Sequence, residues 1–274
     1  MLKIPLIIGL IFVVNLEAQN IDFNKMKEIY EARQPLLDSM INYPSHNYKS
    51  LFTINKNNHK ISFWWIPNKQ KVGTVVLIHG FMMNKSHMLE RADLYYNLGK
   101  NVILIDLRAR GESQGDKTTS GVDIKEDVKA VIKYYNQNLN PYGKLILHGY
   151  SHGGRAAIFA LSDLLSNVEG LVLESTPYSL EESFKRTFNV KEVPDMNSGS
   201  LDEALIKISN LPILLLYGSN DTAIIKDEAH KIASNFKNSK SRVIEFEDAR
   251  HDLTEKKHIE QLKTVITRFI KLNN

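Results

Sequence analysis

The sequence predicts a doubly wound α/β domain: a mostly parallel sheet with helices on both faces. Three observations carry that expectation. Short, unbroken apolar runs recur at Thr74 to Ile78, Asn101 to Ile105, Lys144 to Leu147, Gly170 to Leu173, Ile213 to Tyr217 and, less purely, Arg242 to Phe246. Strands apolar at every position are buried on both faces, as parallel sheets require. Segments of helical period lie between several of these runs, at Asp123 to Asn136, Arg155 to Leu165 and Asp227 to Phe236, and Lys257 to Leu272 closes the chain. Finally, 274 residues at 43% hydrophobic and 24% charged give enough apolar material for one large core.

Taken in chain order, Met1-Leu2-Lys3 is a short basic start, Ile4 to Val14 is apolar, and Asn15 to Gln19 turns polar. The apolar run is well short of the roughly 20 residues of a membrane span. Residues 1–18 therefore read as a signal peptide with Ala18 as the cleavage residue. That leaves a mature domain over residues 19–274, without a stable membrane span, that is secreted or periplasmic. The alternative is an uncleaved N-terminal anchor. From Asp22 to Asn42 apolar residues recur at helical spacing, interrupted by Pro35. Ser50 to Ile54 and Ile61 to Ile66 are strand-like, and the turn residues Lys56 to His59 between them predict a hairpin that extends the sheet antiparallel. Residues 176–210 are too long for an ordinary connection and rich in apolar side chains, and predict a short helical cap insertion over the carboxyl edge of the sheet.

Composition removes several function classes. Net charge is +4 without a basic stripe, so no nucleic-acid partner is implied, and the expected partner is a small molecule. There is no cysteine, which excludes disulfides, thiolate metal sites and a cysteine nucleophile. No metal-binding or dinucleotide fingerprint occurs, so no cofactor and no metal are expected. Gly80 to Ser86 has a faint likeness to a phosphate-binding loop, but it is one residue too short and has Asn84 in place of the second glycine. Oligomeric state is not readable.

Gly149-Tyr150-Ser151-His152-Gly153 fits G-x-S-x-G, between a buried strand and the helical run from Arg155. That context predicts an elbow with the Ser151 hydroxyl standing clear above the sheet. A serine hydroxyl needs a base, itself oriented by an acid. Asp221 follows one strand and His251 the next, at the carboxyl edge where such sheets bind ligands. Glu174 and Asp248 are rivals for the acid. His258 and His230 are rivals for the base, and both read as helical, with His258 at the surface. His79 and His148 flank strands and read as structural. Asp106, Arg108 and Arg110 are expected to pin their loop by ion pairs. An oxyanion hole would need the backbone N–H of His152 and one from the loop after Ile78, assigned to Phe81.

His79-Gly80-Phe81, the run Asp106 to Ser113, Gly149 to Gly154, Gly218 to Asp221 and His251-Asp252 stand together in the order of the α/β-hydrolase superfamily. From about Ser50 onward the chain resembles that superfamily, and within it the small bacterial serine aminopeptidase and monoglyceride lipase-like branch. The resemblance implies a serine hydrolase acting on carboxylic esters through an acyl-enzyme, with Ser151, Asp221 and His251 as its triad. A peptidase or aminopeptidase of the same fold is the alternative, and a non-catalytic binding module is a further one. His152 departs from the family, where Met or Gln is more usual, but keeps the required N–H. Serine at the elbow, rather than aspartate, argues against dehalogenase or epoxide-hydrolase chemistry.

Overall fold

The computed structural model describes residues 42–273 apart from 71, 118–121, 140–142 and 165–166. The expected signal peptide and the helical segment starting at Asp22 lie outside the described residues. One eight-stranded sheet runs through the molecule. Its strands are β1 (Lys49–Ile54), β2 (Lys60–Ile66), β3 (Thr74–Ile78), β4 (Asn101–Ile105), β5 (Leu145–Tyr150), β6 (Val168–Glu174), β7 (Ile213–Gly218) and β8 (Arg242–Phe246). They lie in the order β1-β2-β4-β3-β5-β6-β7-β8. β1 and β2 form the expected antiparallel hairpin, β2 joins β4 antiparallel, and every later pairing is parallel.

Helices cover both faces: α1 (Leu89–Asn97), α2 (Lys125–Tyr134), α3 (His152–Asp163), α4 (Leu180–Phe188), α5 (Asp202–Ile208), α6 (Lys226–Ala233) and α7 (Ile259–Asn273). Alternate strand residues feed opposite faces. Val76, Ile78, Leu147 and Leu173 pack under α2, α3, α5 and α6, whereas Val75, Leu77, Ile146 and Val172 pack under α1 and α7. On α7 the contact stripe is Leu262, Ile266, Phe269 and Ile270, the spacing of a helix with one buried side. The edge strand β8 is only partly buried and carries Arg242 and Glu245, charges that discourage pairing with another sheet edge.

The crossover from β4 to β5 carries the chain from one side of β3 to the other. Crevices for ligands open at such a reversal, beyond the carboxyl ends of the strands. The loop after β3 and the turn after β5 both emerge there.

Several boundaries differ from the sequence reading, each for a physical reason. Helix α1 has no clear apolar stripe, because Arg91 lies on its buried face beside Ala92, Leu94 and Tyr95. Helix α3 starts three residues before Arg155, since His152, Gly153 and Gly154 already form its first turn. Residues 176–210 contain two different things. Leu201, Ala204, Leu205 and Ile208, at and within α5, join the main core, whereas Leu180, Phe184 and Met196 form a separate small cluster. Arg155 fastens the ends of this segment: its guanidinium donates to the carbonyls of Tyr178, Ser198 and Gly199 at 2.5, 2.7 and 2.8 Å.

Core burial sets the expected cost of substitution. Leu173→Ala, at a fully buried position of β6, should cost about 2–5 kcal/mol of unfolding free energy. Ile206→Ala, on α5 but 59% exposed, should stay within about 0.5 kcal/mol. Urea denaturation of the two variants checks the contrast.

Candidate active site

Strand β5 ends at Tyr150 and α3 begins at His152, so Ser151 alone makes the corner, at φ 51° and ψ −119°. A non-glycine residue in such a conformation costs on the order of 1–3 kcal/mol and persists only where its surroundings impose it. Here the Ser151 N–H donates to the Glu174 carbonyl at 2.7 Å, and the Gly154 N–H donates to the Ser151 carbonyl at 2.9 Å. Packing closes the corner further. A Cβ at Gly149 would collide with the Gly153 backbone, and one at Gly153 with the Ile78 carbonyl. Strand, helix and the end of β3 therefore meet where only glycine fits.

The Ser151 Oγ lies 3.0 Å from His251 Nε2, and His251 Nδ1 lies 2.7 Å from Asp221 Oδ2. Asp221 Oδ1 accepts the backbone N–H groups of Ala223 and Ile224, both at 2.9 Å. These bonds leave the carboxylate one orientation. The loops that carry Asp221 and His251 are joined by backbone bonds from Ser219 N–H to Phe246 O and from Asn220 N–H to Ala249 O. The His251 carbonyl in turn accepts from Ser175 Oγ at 2.8 Å. Three side chains from three separate strand ends thus converge. An imidazole bridged this way can accept a hydroxyl proton while a carboxylate faces the positive charge it gains.

Burial alone would favour the neutral form of His251. The carboxylates of Asp221, Asp252 and Glu174 outweigh it, so the imidazole titrates above its ordinary value.

Phe81 and His152 flank the same serine. Gly80 brings the loop after β3 so close that a Cβ there would stand 3.3 Å from the Ser151 Cβ. The Phe81 and His152 rings meet edge to face at 6.3 Å. Beside them is a cavity of about 10 Å³, room for about one water molecule, lined among others by His79, Phe81, Arg110 and His152. Phe184 of α4 packs edge-on against Phe81 at 5.0 Å, and the Phe188 ring lies tilted against Phe184 at 5.4 Å. The small apolar cluster of α4 is therefore the wall of the site on its Phe81 side.

The rival residues lie elsewhere. Glu174 is wholly buried, with Arg91 and His148 on its carboxylate. Asp248 is exposed and pairs with Lys257 at 3.2 Å. His79 contacts the Gly80 carbonyl and accepts the Leu107 N–H, and burial pushes its ring down to about 3. His148 binds Tyr95 and Glu174. His230 is on the exposed side of α6. His258 departs from its expected surface place: it precedes α7, is buried, and packs edge-on against Phe246.

Asp106 and Arg108 do pin the loop, Asp106 to Lys85 at 2.5 Å and Arg108 to Asp127 at 2.8 Å and Asp123 at 2.9 Å. Arg110 reaches the Ala109 carbonyl at 2.8 Å and lies over the Phe81 ring at 5.9 Å. Lys85, inside the run that loosely matched a phosphate loop, is buried between Asp106 and Glu112 and over the Trp64 ring. Sequence reasoning assigned no role to Arg91, Lys85 or Arg155. Only Arg155, adjoining the glycines of the elbow, had a visible signal. Among the described residues no group of three or more His, Asp or Glu side chains converges as a metal site.

A family model described as the alpha/beta hydrolase fold matches residues 73–203. The Pyrococcus furiosus esterase Pf2001 superposes with a TM-score of 0.75 at 25% identity, over 84% of this chain and 95% of that one. An esterase from Exiguobacterium antarcticum superposes with a TM-score of 0.66 at 18% identity, over 81% of this chain and all of that one, a likeness of fold. Among curated sequences, an uncharacterized membrane protein of Saccharomyces cerevisiae is 24% identical over 76% of this chain and 74% of its own length. Protein bem46 of Schizosaccharomyces pombe is 26% identical over 55% and 52%.

The expectation of a secreted or periplasmic protein is overturned at this point. The Saccharomyces relative is named a membrane protein, at odds with a chain released across one, and the leader on which that expectation rested lies outside the described residues. Among the described residues no helix is long and apolar enough to cross a membrane. Sheet topology, the matching family model and the esterase superposition agree: the chain has the α/β-hydrolase fold.

Proposed function

We propose that the protein is a serine hydrolase that cleaves carboxylic esters through an acyl-enzyme. The observation that carries this reading is the bridged imidazole of His251, 3.0 Å from a hydroxyl on a strained corner and 2.7 Å from a fixed carboxylate. In the first step His251 Nε2 takes the proton of Ser151 as Oγ bonds to the ester carbonyl carbon. The carbonyl π pair moves to oxygen, where the backbone N–H groups of Phe81 and His152 receive the negative charge; each such donor is typically worth about 10²–10³ in rate. Asp221 holds the ring with Nδ1–H toward itself and faces the imidazolium. Collapse of the intermediate breaks the C–O bond, and the alkoxide leaves with the proton from His251. Water then repeats the sequence on the acyl-Ser151 ester, releasing the acid and restoring the hydroxyl.

The apolar wall of Phe81, Phe184 and Phe188 supports a modest hydrophobic acyl group. The esterase named among the superposed structures at 25% identity supports the ester class.

Two measurements test the reading. On purified protein, p-nitrophenyl esters should turn over and aminoacyl anilides should not. Turnover of the anilides alone would replace this reading with the aminopeptidase one, and turnover of neither with a binding module. Ser151→Ala should lower kcat on the order of 10⁴–10⁶-fold in a folded protein.

The pH dependence follows from the base. Only neutral His251 can accept the serine proton, and its pKa is raised above 6.5. The acid limb of kcat/KM should therefore have its midpoint above 6.5, with activity falling about tenfold per pH unit below it. A midpoint at about pH 5 or lower would contradict an imidazole in this setting.

A further inference from the structure

Behind the candidate triad lies a second buried group of charges that the mechanism above does not use. Arg91, on the inner face of α1, directs its guanidinium at two carboxylates. Its Nε donates to Glu174 Oε2 at 2.8 Å, and its Nη2 donates to Glu174 Oε1 and, at 2.9 Å, to Asp252 Oδ1. Glu174 is further held by His148 Nε2 at 2.9 Å, while His148 Nδ1 faces the Tyr95 hydroxyl at 3.1 Å. With Nε2 protonated, the run Tyr95, His148, Glu174 has a donor and an acceptor at every joint. Glu174 and Arg91 are both wholly buried, and the pair of Arg91 with His148 keeps the carboxylate ionised, well below the usual range.

The two carboxylates have one thing in common. Glu174 is the residue whose carbonyl accepts the Ser151 N–H, at 2.7 Å, and so holds the strained corner. Asp252 directly follows His251. The same guanidinium lies 4.6 Å above the Tyr150 ring, and that ring is 5.3 Å from the His251 ring. Arg91 thus touches the residue that fixes the hydroxyl, the residue that adjoins the imidazole, and the aromatic ring between them. A forked, planar guanidinium can hold two carboxylates in a set relation; a lysine ammonium is a point charge and cannot.

We propose that Arg91 is a positioning residue that sets the distance between the Ser151 hydroxyl and the His251 imidazole, by clamping Glu174 at the corner to Asp252 beside the ring. This rests on the reading of Ser151 and His251 as nucleophile and base. The clamp acts on the approach of the reacting atoms and leaves the acyl wall of Phe81 and Phe184 alone. Its loss should therefore appear in kcat and not in KM. A misplacement of about 1 Å in such a pair can cost about a hundredfold.

The test uses Asp252→Asn, Arg91→Lys and the double variant, each assayed with a p-nitrophenyl ester at the plateau of its own pH profile. Asp252 is 28% exposed, so Asp252→Asn should fold even if Arg91→Lys, which disturbs a buried pair, does not. Asp252→Asn should lower kcat about 10- to 100-fold with KM within about twofold. Where Arg91→Lys folds, it should do the same, and the double variant should be no slower than the slower single one, since both break one contact. Wild-type kcat in Asp252→Asn overturns the clamp, as does a loss that falls on KM alone, or losses that multiply in the double variant. Ser151→Ala assayed alongside separates the two ideas. If it is inactive while Asp252→Asn is normal, only the clamp fails; if it keeps its activity, the assignment of the nucleophile fails first.

Discussion

Ser151 can stand where it does only because its neighbours leave it no alternative. Its backbone lies outside the regions comfortable for an L-residue, and relaxing it would carry the hydroxyl away from the imidazole. Gly149 and Gly153 supply close backbone approaches that no side chain would permit, and the Glu174 carbonyl takes the Ser151 N–H. The strain resides in one residue, while the surfaces that sustain it are spread over β3, β5, β6 and α3. Preorganisation of this kind places the cost in folding, so that the reaction itself does not have to meet it.

The site draws on a shared feature of the carboxyl edge, where several buried charges are held in pairs. Asp106 has Lys85, Arg108 has Asp127, and Glu174 has Arg91 and His148. A lone ion in such a place would be expelled or neutralised, and breaking one partner of a buried pair typically costs about 3–5 kcal/mol. These pairs tie loops that would otherwise only share a neighbourhood. Arg155 does the same for the segment between β6 and β7, using carbonyls in place of carboxylates. The loops that carry Asp221 and His251 therefore sit on a frame fixed from several directions.

Much of this was legible from the residues. Continuous apolar runs marked the buried strands because both faces of a parallel sheet are covered, and the G-x-S-x-G corner followed from its place between a strand and a helix. The positions of Asp221 and His251 after successive strands were enough to nominate them, and those are the side chains found bonded to one another. Helix α1 escaped notice because its inner face carries Arg91, which breaks the apolar period that signals a helix. The segment 176–210 looked uniform because apolar residues that join the main core and those that wall the site have the same composition. His258 reads as a surface residue because pattern alone cannot reveal that the chain before α7 tucks it against Phe246. A partnership such as Arg91 with Glu174 and Asp252, spanning 83 and 161 residues, leaves no local mark in a sequence.

If Ser151 is the nucleophile, its hydroxyl is more reactive than every other in the molecule. Treating the purified protein with a fluorophosphonate and mapping the modified peptide by mass spectrometry asks that directly. A single adduct is expected, on Ser151, formed faster as the pH rises through the titration of His251. An adduct on another side chain, or none at all in folded protein, would contradict that assignment.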